Sequence, residues 1–274
     1  MDTTAPIGIF DSGIGGLTVA RELLWRLPHE SLLYLADTAH VPYGGRSVAE
    51  LRDFAAHICR WLAAEGCKLI VVACNTSSAV ALDAAQAAVA VPVVGVIEGG
   101  ASAAAQVLNG GTVGVIATAA TVASGAYLGA IHALRPDAPI EQVACPEFVP
   151  LVEAGRLGTP DASAAVCEYL AALPLRRLDA LVLGCTHYPF LAPMLRMRTE
   201  ERTHLVDPAL ETAKTVAGLL EVVGRSHGPA RHRIVATGST ASLERANQLS
   251  FGGRLPAAAA IPWAAVAQAV DAVG

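Results

Sequence analysis

The sequence predicts an α/β protein of two similar lobes, each a mostly parallel sheet flanked by helices. Three observations carry that prediction. Short apolar runs alternate with helical stretches along the 274 residues, the pattern of strands joined by helical crossovers. The composition is 53% hydrophobic but only 5% aromatic, and much of the apolar fraction is alanine and glycine, small enough to let helices lie close on a sheet. Finally, LIVVACNTSSA (Leu69 to Ala79) parallels ALVLGCTHYPF (Ala180 to Phe190). Each has an apolar strand, a small residue, a cysteine and then polar residues before a helix or turn. One such match is weak evidence of duplication by itself, but it predicts a cysteine at a strand end in each lobe.

Taken in order, strands are expected at Ile7 to Phe10, Leu32 to Leu35, Leu69 to Val72, Val93 to Ile97, Val113 to Ala117, Leu181 to Leu183 and Ile234 to Ala236. Helices are expected at Gly16 to Arg26, Val48 to Glu65 and Ser77 to Val89. The uncharged stretch Gly99 to Ile131 is broken by Asn109-Gly110-Gly111 and filled with Ser, Thr and Gly. It reads as a buried helix, turn and strand, not as a membrane span. The chain is expected to cross between lobes near Glu98 and near Val206. The first lobe is then residues 1–98 with 207–274, and the second 99–206.

Composition excludes several classes. Net charge is −5 with no dense Lys/Arg cluster, which argues against a nucleic-acid partner. High hydrophobicity argues against disorder. Six cysteines in a chain this long do not form the framework of a short secreted scaffold. The segment MDTTAPIGIFDSG has no basic stretch followed by an apolar one, so no signal peptide is expected. The expected class is a reduced, cytoplasmic protein with no membrane partner.

Ligands of open parallel sheets bind beyond the carboxyl ends of the strands. At those exits stand Asp11-Ser12-Gly13, Asp37-Thr38, Cys74-Asn75-Thr76, Thr118 and Cys185-Thr186-His187. Cys74 precedes a helix beginning within Thr76-Ser77-Ser78, where N–H groups and the helix dipole favour a thiolate. Cys59, Cys67, Cys145 and Cys167 lack such surroundings and read as packing residues. Cys185 with His187 could be a metal pair, but no second Cys/His pair at zinc spacing exists. A nucleophilic Cys–His pair and a thiol acid/base served by the imidazole both stay open. The loop Asp11 to Gly16 fails the dinucleotide fingerprint, whose third glycine would fall at Thr18. A glycine-rich turn opening a helix still offers N–H groups to a small carboxylate, while Asp11 could equally be a turn former.

Two thiols across a carboxylate site suit a racemase, which removes an α-proton on one face and returns one on the other. A pyridoxal phosphate route needs a lysine. Lys68 introduces a buried strand and Lys214 lies in an expected helix, so a reaction without cofactor or metal fits better.

FDSGIGGL (Phe10 to Leu17), LADTAHVPYG (Leu35 to Gly44), VVACNTSSA (Val71 to Ala79) and VLGCTHYPFL (Val182 to Leu191) resemble the signature segments of the glutamate racemase family, within the aspartate/glutamate racemase superfamily. The resemblance runs in order to about Leu220. It implies two pseudo-symmetric lobes with the active site between them, and interconversion of L- and D-glutamate for bacterial peptidoglycan. It implies that Cys74, assisted by Asp11, acts on D-glutamate, and that Cys185, assisted by His187, acts on L-glutamate. Ser12, Pro42, Tyr43, Gly44, Asn75, Thr76, Thr118, Thr121 and Thr186 match positions that hold the substrate or line its site, and Glu153 matches an acid near the histidine. A homodimer is one assembly it allows. Two segments depart from the family: Ala236-Thr237-Gly238-Ser239 differs from the usual closing motif, and the tail from Phe251 resembles nothing in it. Nearby alternatives are a racemase or decarboxylase acting on aspartate, and a non-catalytic protein that closes on an amino acid.

Overall fold

The computed structural model describes residues 2–269; Met1 and residues 270–274, included in the expected first lobe, lie outside them. The strands are β1 Ile7–Asp11, β2 Leu32–Ala36, β3 Leu69–Val72, β4 Val93–Val94, β5 Thr112–Ala117, β6 Ile140–Ala144, β7 Leu178–Gly184, β8 His204–Val206, β9 Arg233–Ala236 and β10 Ala259–Ala260. They form two sheets, ordered β10-β9-β2-β1-β3-β4 and β6-β5-β7-β8. Every pairing is parallel.

Parallel strands need crossovers, and the crossover helices bury both faces of each sheet. In the first sheet, Ile7, Ile9 and Val71 face Leu23 of the helix Leu17–Arg26 and Val216 of the helix Ala209–Val223. Phe10, Leu35, Ile70 and Val72 face the opposite way, onto Leu51, Ile58 and Leu62 of the helix Val48–Ala64. Ser47 opens that last helix with a capping box to Glu50. In the second sheet, Val113, Val115 and Val182 pack on Ala104 of the helix Ile97–Val107 and Ile131 of the helix Ala126–Leu134. Its other face, with Ile116, Leu181 and Leu183, belongs to the same apolar cluster as Ile7 and Ile9. The two sheets therefore share one continuous core.

Three expectations shift. The strand expected over Val93 to Ile97 stops at Val94, and Ile97 already starts a helix. Gly95 packs so close that a Cβ there would sit 3.0 Å from the Ser78 hydroxyl oxygen, and Val96 N donates to that oxygen at 3.2 Å. The helix expected over Ser77 to Val89 is two, Asn75–Val80 and Leu82–Ala87, broken where Ala81 leaves helical geometry at φ −136°, ψ 4°. β6, β8 and β10 went unread in the sequence because they lack its signal. β6 is a half-buried edge strand of mixed polarity, while β8 and β10 have three and two residues. The uncharged stretch Gly99 to Ile131 is helix, turn, strand β5, the short helix Ala119–Ser124 and the start of the helix Ala126–Leu134. Among the described residues no helix is long and apolar enough to cross a membrane.

Candidate active site

Parallel topology collects the strand exits of each sheet at one edge. Asp11 is the last residue of β1 and fully buried. Cys74 stands two residues beyond β3 and occupies the N-cap of Asn75–Val80, a helix that starts one residue before the Thr76-Ser77-Ser78 segment expected to open it. Cys185 follows β7 directly and leads into a tight 3₁₀ turn, Tyr188–Leu191. Thr118 follows β5 and caps the helix Ala119–Ser124, its hydroxyl accepting from Thr121 N. Cys74 and Cys185 are only 5% and 6% exposed.

Side chains from the two sheets meet across this edge. Thr186 Oγ1 donates to Asp11 Oδ1 at 3.0 Å. Thr76 and Thr118 hydroxyls lie 2.9 Å apart, as do those of Thr118 and Thr121. Asn75 Oδ1 accepts from Tyr127 OH at 2.6 Å. On the Cys185 side, the sulfur is 3.7 Å from His187 Nδ1, and His187 Nε2 is 2.8 Å from Glu153 Oε1. That same oxygen accepts from Ile14 N at 3.1 Å, across the cleft. Glycine makes this approach feasible: a Cβ on Gly15 would overlap the Thr186 hydroxyl and lie 2.7 Å from His187 Nδ1. Two of the N–H groups of the turn expected to meet a substrate carboxylate are engaged within the protein. Gly13 N donates to Asp11 Oδ2 at 3.0 Å and Ile14 N to Glu153.

Burial pushes the Cys74 thiol up to about 12, and the charges of Asp11 and Cys185 push the same way, against the Ser77 N–H that favours thiolate. For His187 burial alone lowers the pKa, but bonds to Cys185 and Glu153, together with their charges, outweigh it and hold the imidazole well above its usual range. Burial likewise raises Glu153, yet the His187 bond and charge and the Ile14 N–H leave it below the ordinary carboxylate range. The Cys185 side thus carries a histidine with a raised pKa, and the Cys74 side an aspartate.

Asp11, Ser12, Tyr43, Cys74, Asn75, Thr76, Thr118, Thr121, Cys185, Thr186 and His187 are all buried, and Glu153 is partly so. Gly44 sits at the rim, where a Cβ would be 3.1 Å from Thr118 Cβ, and Pro42 is exposed. Asp37 is visible in the sequence as a polar residue at the β2 exit, but its partners are not: Tyr43 OH donates to it at 2.6 Å and Thr237 Oγ1 at 2.5 Å. Nor are Tyr34, whose OH donates to Gly13 O at 2.8 Å, and Tyr127, because these contacts span long sequence distances.

All six cysteines are free. Lys68 pairs with Glu30 at 2.8 Å in full burial and bonds Thr3 O and Gly224 O. It precedes β3, at the sheet edge opposite Cys74, while Lys214 is half-exposed beside Glu211. Among the described residues no cluster of three or more His, Cys, Asp or Glu could hold a metal. A cavity of about 690 Å³ bordered by Ile97, Ala130, Leu134 and Glu211 includes none of the site residues above.

Fold and site define a class: a two-sheet α/β protein with one buried thiol at a strand exit of each sheet, on the side where side chains of the two sheets meet. The profile of the family described as Asp/Glu/Hydantoin racemase matches residues 18–216. A glutamate racemase of Streptococcus pneumoniae (strain Hungary19A-6) is 43% identical over 242 residues, 87% of this chain and 91% of that protein. The structure of a glutamate racemase isoform from Bacillus anthracis superposes with a TM-score of 0.89 at 36% identity, covering 94% of this chain and 98% of that one. A glutamate racemase from Francisella tularensis in complex with D-glutamate gives 0.87 at 33% identity, covering 98% and 99%. The chain belongs to the Asp/Glu/Hydantoin racemase family, and it is a racemase.

Proposed function

We propose that this enzyme interconverts L- and D-glutamate without a cofactor, using Cys74 and Cys185 as the two acid/base groups, and supplies D-glutamate for peptidoglycan from the cytoplasm. The observation that carries the reading is the pair of buried thiols at equivalent strand exits, each with a different polar partner. Relatives that share this architecture are glutamate racemases, one of them holding D-glutamate.

In the proposed reaction one cysteine acts as thiolate and takes the α-proton, leaving a carbanion at Cα. The opposite cysteine, a thiol, gives its proton to the other face and becomes the thiolate. The roles exchange for the reverse direction. Cys74 takes the proton from D-glutamate. Its obstacle is burial beside Asp11, and the substrate ammonium group entering near that carboxylate supplies the positive charge that favours a thiolate. Cys185 takes the proton from L-glutamate, and His187, held by Glu153, manages the thiol proton. Asn75, Thr76, Thr118, Thr121, Thr186 and Ser12 hold the substrate with Pro42, Tyr43 and Gly44 at the rim. The lysine placements support the cofactor-free route, since Lys68 is committed to Glu30 far from the thiols. The lobes are taken as 1–98 with 207–274, and 99–206. This division is supported by β4 ending at Val94 in one sheet and β8 at Val206 in the other.

The test is incubation of the purified protein with L-glutamate in deuterated water, with no added cofactor. Loss of optical rotation with deuterium at Cα is expected. Inert glutamate across several pH values, or faster exchange of L-aspartate, contradicts the proposal.

A further inference from the structure

The tail that the sequence left unplaced reaches the substrate side of the first sheet. β10 pairs with β9 at the sheet edge, and Ile261 N donates to Ala236 O at 2.8 Å, bracing the strand exit beside Thr237. The chain then forms the helix Trp263–Ala267 against the helix Val48–Ala64. Trp263 meets His40 edge-on at 4.6 Å and Phe54 at 5.4 Å, while His40 stacks on Phe54 at 4.3 Å. His40 Nδ1 is 2.8 Å from Asp37 Oδ2, the oxygen that also accepts from Tyr43 OH. Asp37 Oδ1 accepts from Thr237. Asp37 therefore has three side-chain partners, and the tail braces two of them: Thr237 through β9–β10 pairing, His40 through Trp263.

We propose that Trp263 is a positioning residue for the rim loop 37–45, acting through His40 and Asp37 on Tyr43 and Gly44. The proposal rests on the reading of Tyr43 and Gly44 as residues that close on glutamate. Asp37 is fully buried, so its oxygens need fixed donors, and those donors set where the Tyr43 ring stands. Tyr43 keeps its proton, since burial and then the Asp37 charge raise its pKa well above the phenol range. Gly44, next along, lies so near Thr118, which follows β5 of the other sheet, that a Cβ there would be 3.1 Å from Thr118 Cβ, and a displaced loop would open this approach.

Val266 is the control. It is fully buried in the same apolar cluster and anchors the tail, but it belongs to none of the ring contacts around His40. Trp263→Ala should raise KM for glutamate about five- to tenfold with kcat changed less than about twofold, and Trp263→Phe should restore most of the loss. His40→Phe keeps a ring for stacking but loses the bond to Asp37, and should reproduce the KM rise. Val266→Ala should lower Tm while leaving KM unchanged. Amide hydrogen exchange at Gly44 to Arg46 should quicken about tenfold in Trp263→Ala and not in Val266→Ala, whatever substrate the enzyme takes. An unchanged KM and unchanged exchange in Trp263→Ala and His40→Phe overturn the proposal, as does an equal KM rise in Val266→Ala. An unaltered enzyme inert toward glutamate overturns the functional reading instead, and the exchange measurement then decides the loop by itself.

Discussion

The two thiols occupy equivalent places on two sheets, yet their surroundings differ in kind. Cys74 caps a helix and lies by the carboxylate of Asp11, whose charge pushes the thiol pKa up. Cys185 leads into a 3₁₀ turn and faces an imidazole whose far nitrogen lies 2.8 Å from Glu153 Oε1. In the proposed reaction, helix geometry on one side and a side-chain relay on the other serve the same end, moving a proton onto and off a buried sulfur. The comparison also shows what a pKa does not reveal. Cys59 and Cys67, packed among aliphatic side chains, are pushed to about 12 like Cys74. Polar partners, not the value itself, separate the two thiols proposed to exchange protons from those read as packing residues.

The largest way to break the asymmetry lies at the relay. His187→Asn should slow proton abstraction from L-glutamate by about a hundredfold and from D-glutamate by less, measured as initial rates of α-hydrogen exchange. A uniform loss in both directions would place His187 in packing alone.

A second, smaller effect is readable in stability. The folded pKa of Glu153 lies below its ordinary value near 4.5, so its contribution is present above that pH and lost as pH falls through the folded value. That of His187 lies above 6.5, so its contribution is complete below that pH and lost as pH rises through the folded value. The pair should therefore stabilise most between about 4.5 and 6.5. In Glu153→Gln the fall in Tm on acidification from pH 5.5 should be smaller than in the unaltered protein; an identical acid limb counts against the ion pair.

The smallest effect belongs to the packing cysteines. Cys59→Ala should keep the exchange rate within about twofold and cost only about 1 kcal/mol in urea unfolding. Native Cys59 should resist alkylation at neutral pH, since burial holds it as a thiol.

Much of this asymmetry was legible in the sequence. β1, β3, β5 and β7 announce themselves as apolar runs, and the residues at or just beyond their ends include both cysteines, Asp11 and His187. The roles that depend on long-range approach were not legible. Gly15 reads as a turn residue, and only the fold shows that its missing Cβ admits Thr186 and His187 from the other sheet. Asp37 reads as one more polar exit, and its bond to Thr237 joins residues 200 positions apart. The N–H groups of the Gly13–Ile14 turn look free for a ligand until Asp11 and Glu153 are seen to occupy them. Edge strands such as β10 carry no periodic signal, so the tail and its Trp263 contact had no reading at all.

The central claim is that each thiol serves one face of the α-carbon. It is tested most directly by following deuterium wash-in from D- and from L-glutamate separately in Cys74→Ser and in Cys185→Ser. Cys74→Ser should slow wash-in from D-glutamate by about a hundredfold more than from L-glutamate, and Cys185→Ser should show the reverse. Equal losses for both enantiomers in both variants would contradict the facial assignment.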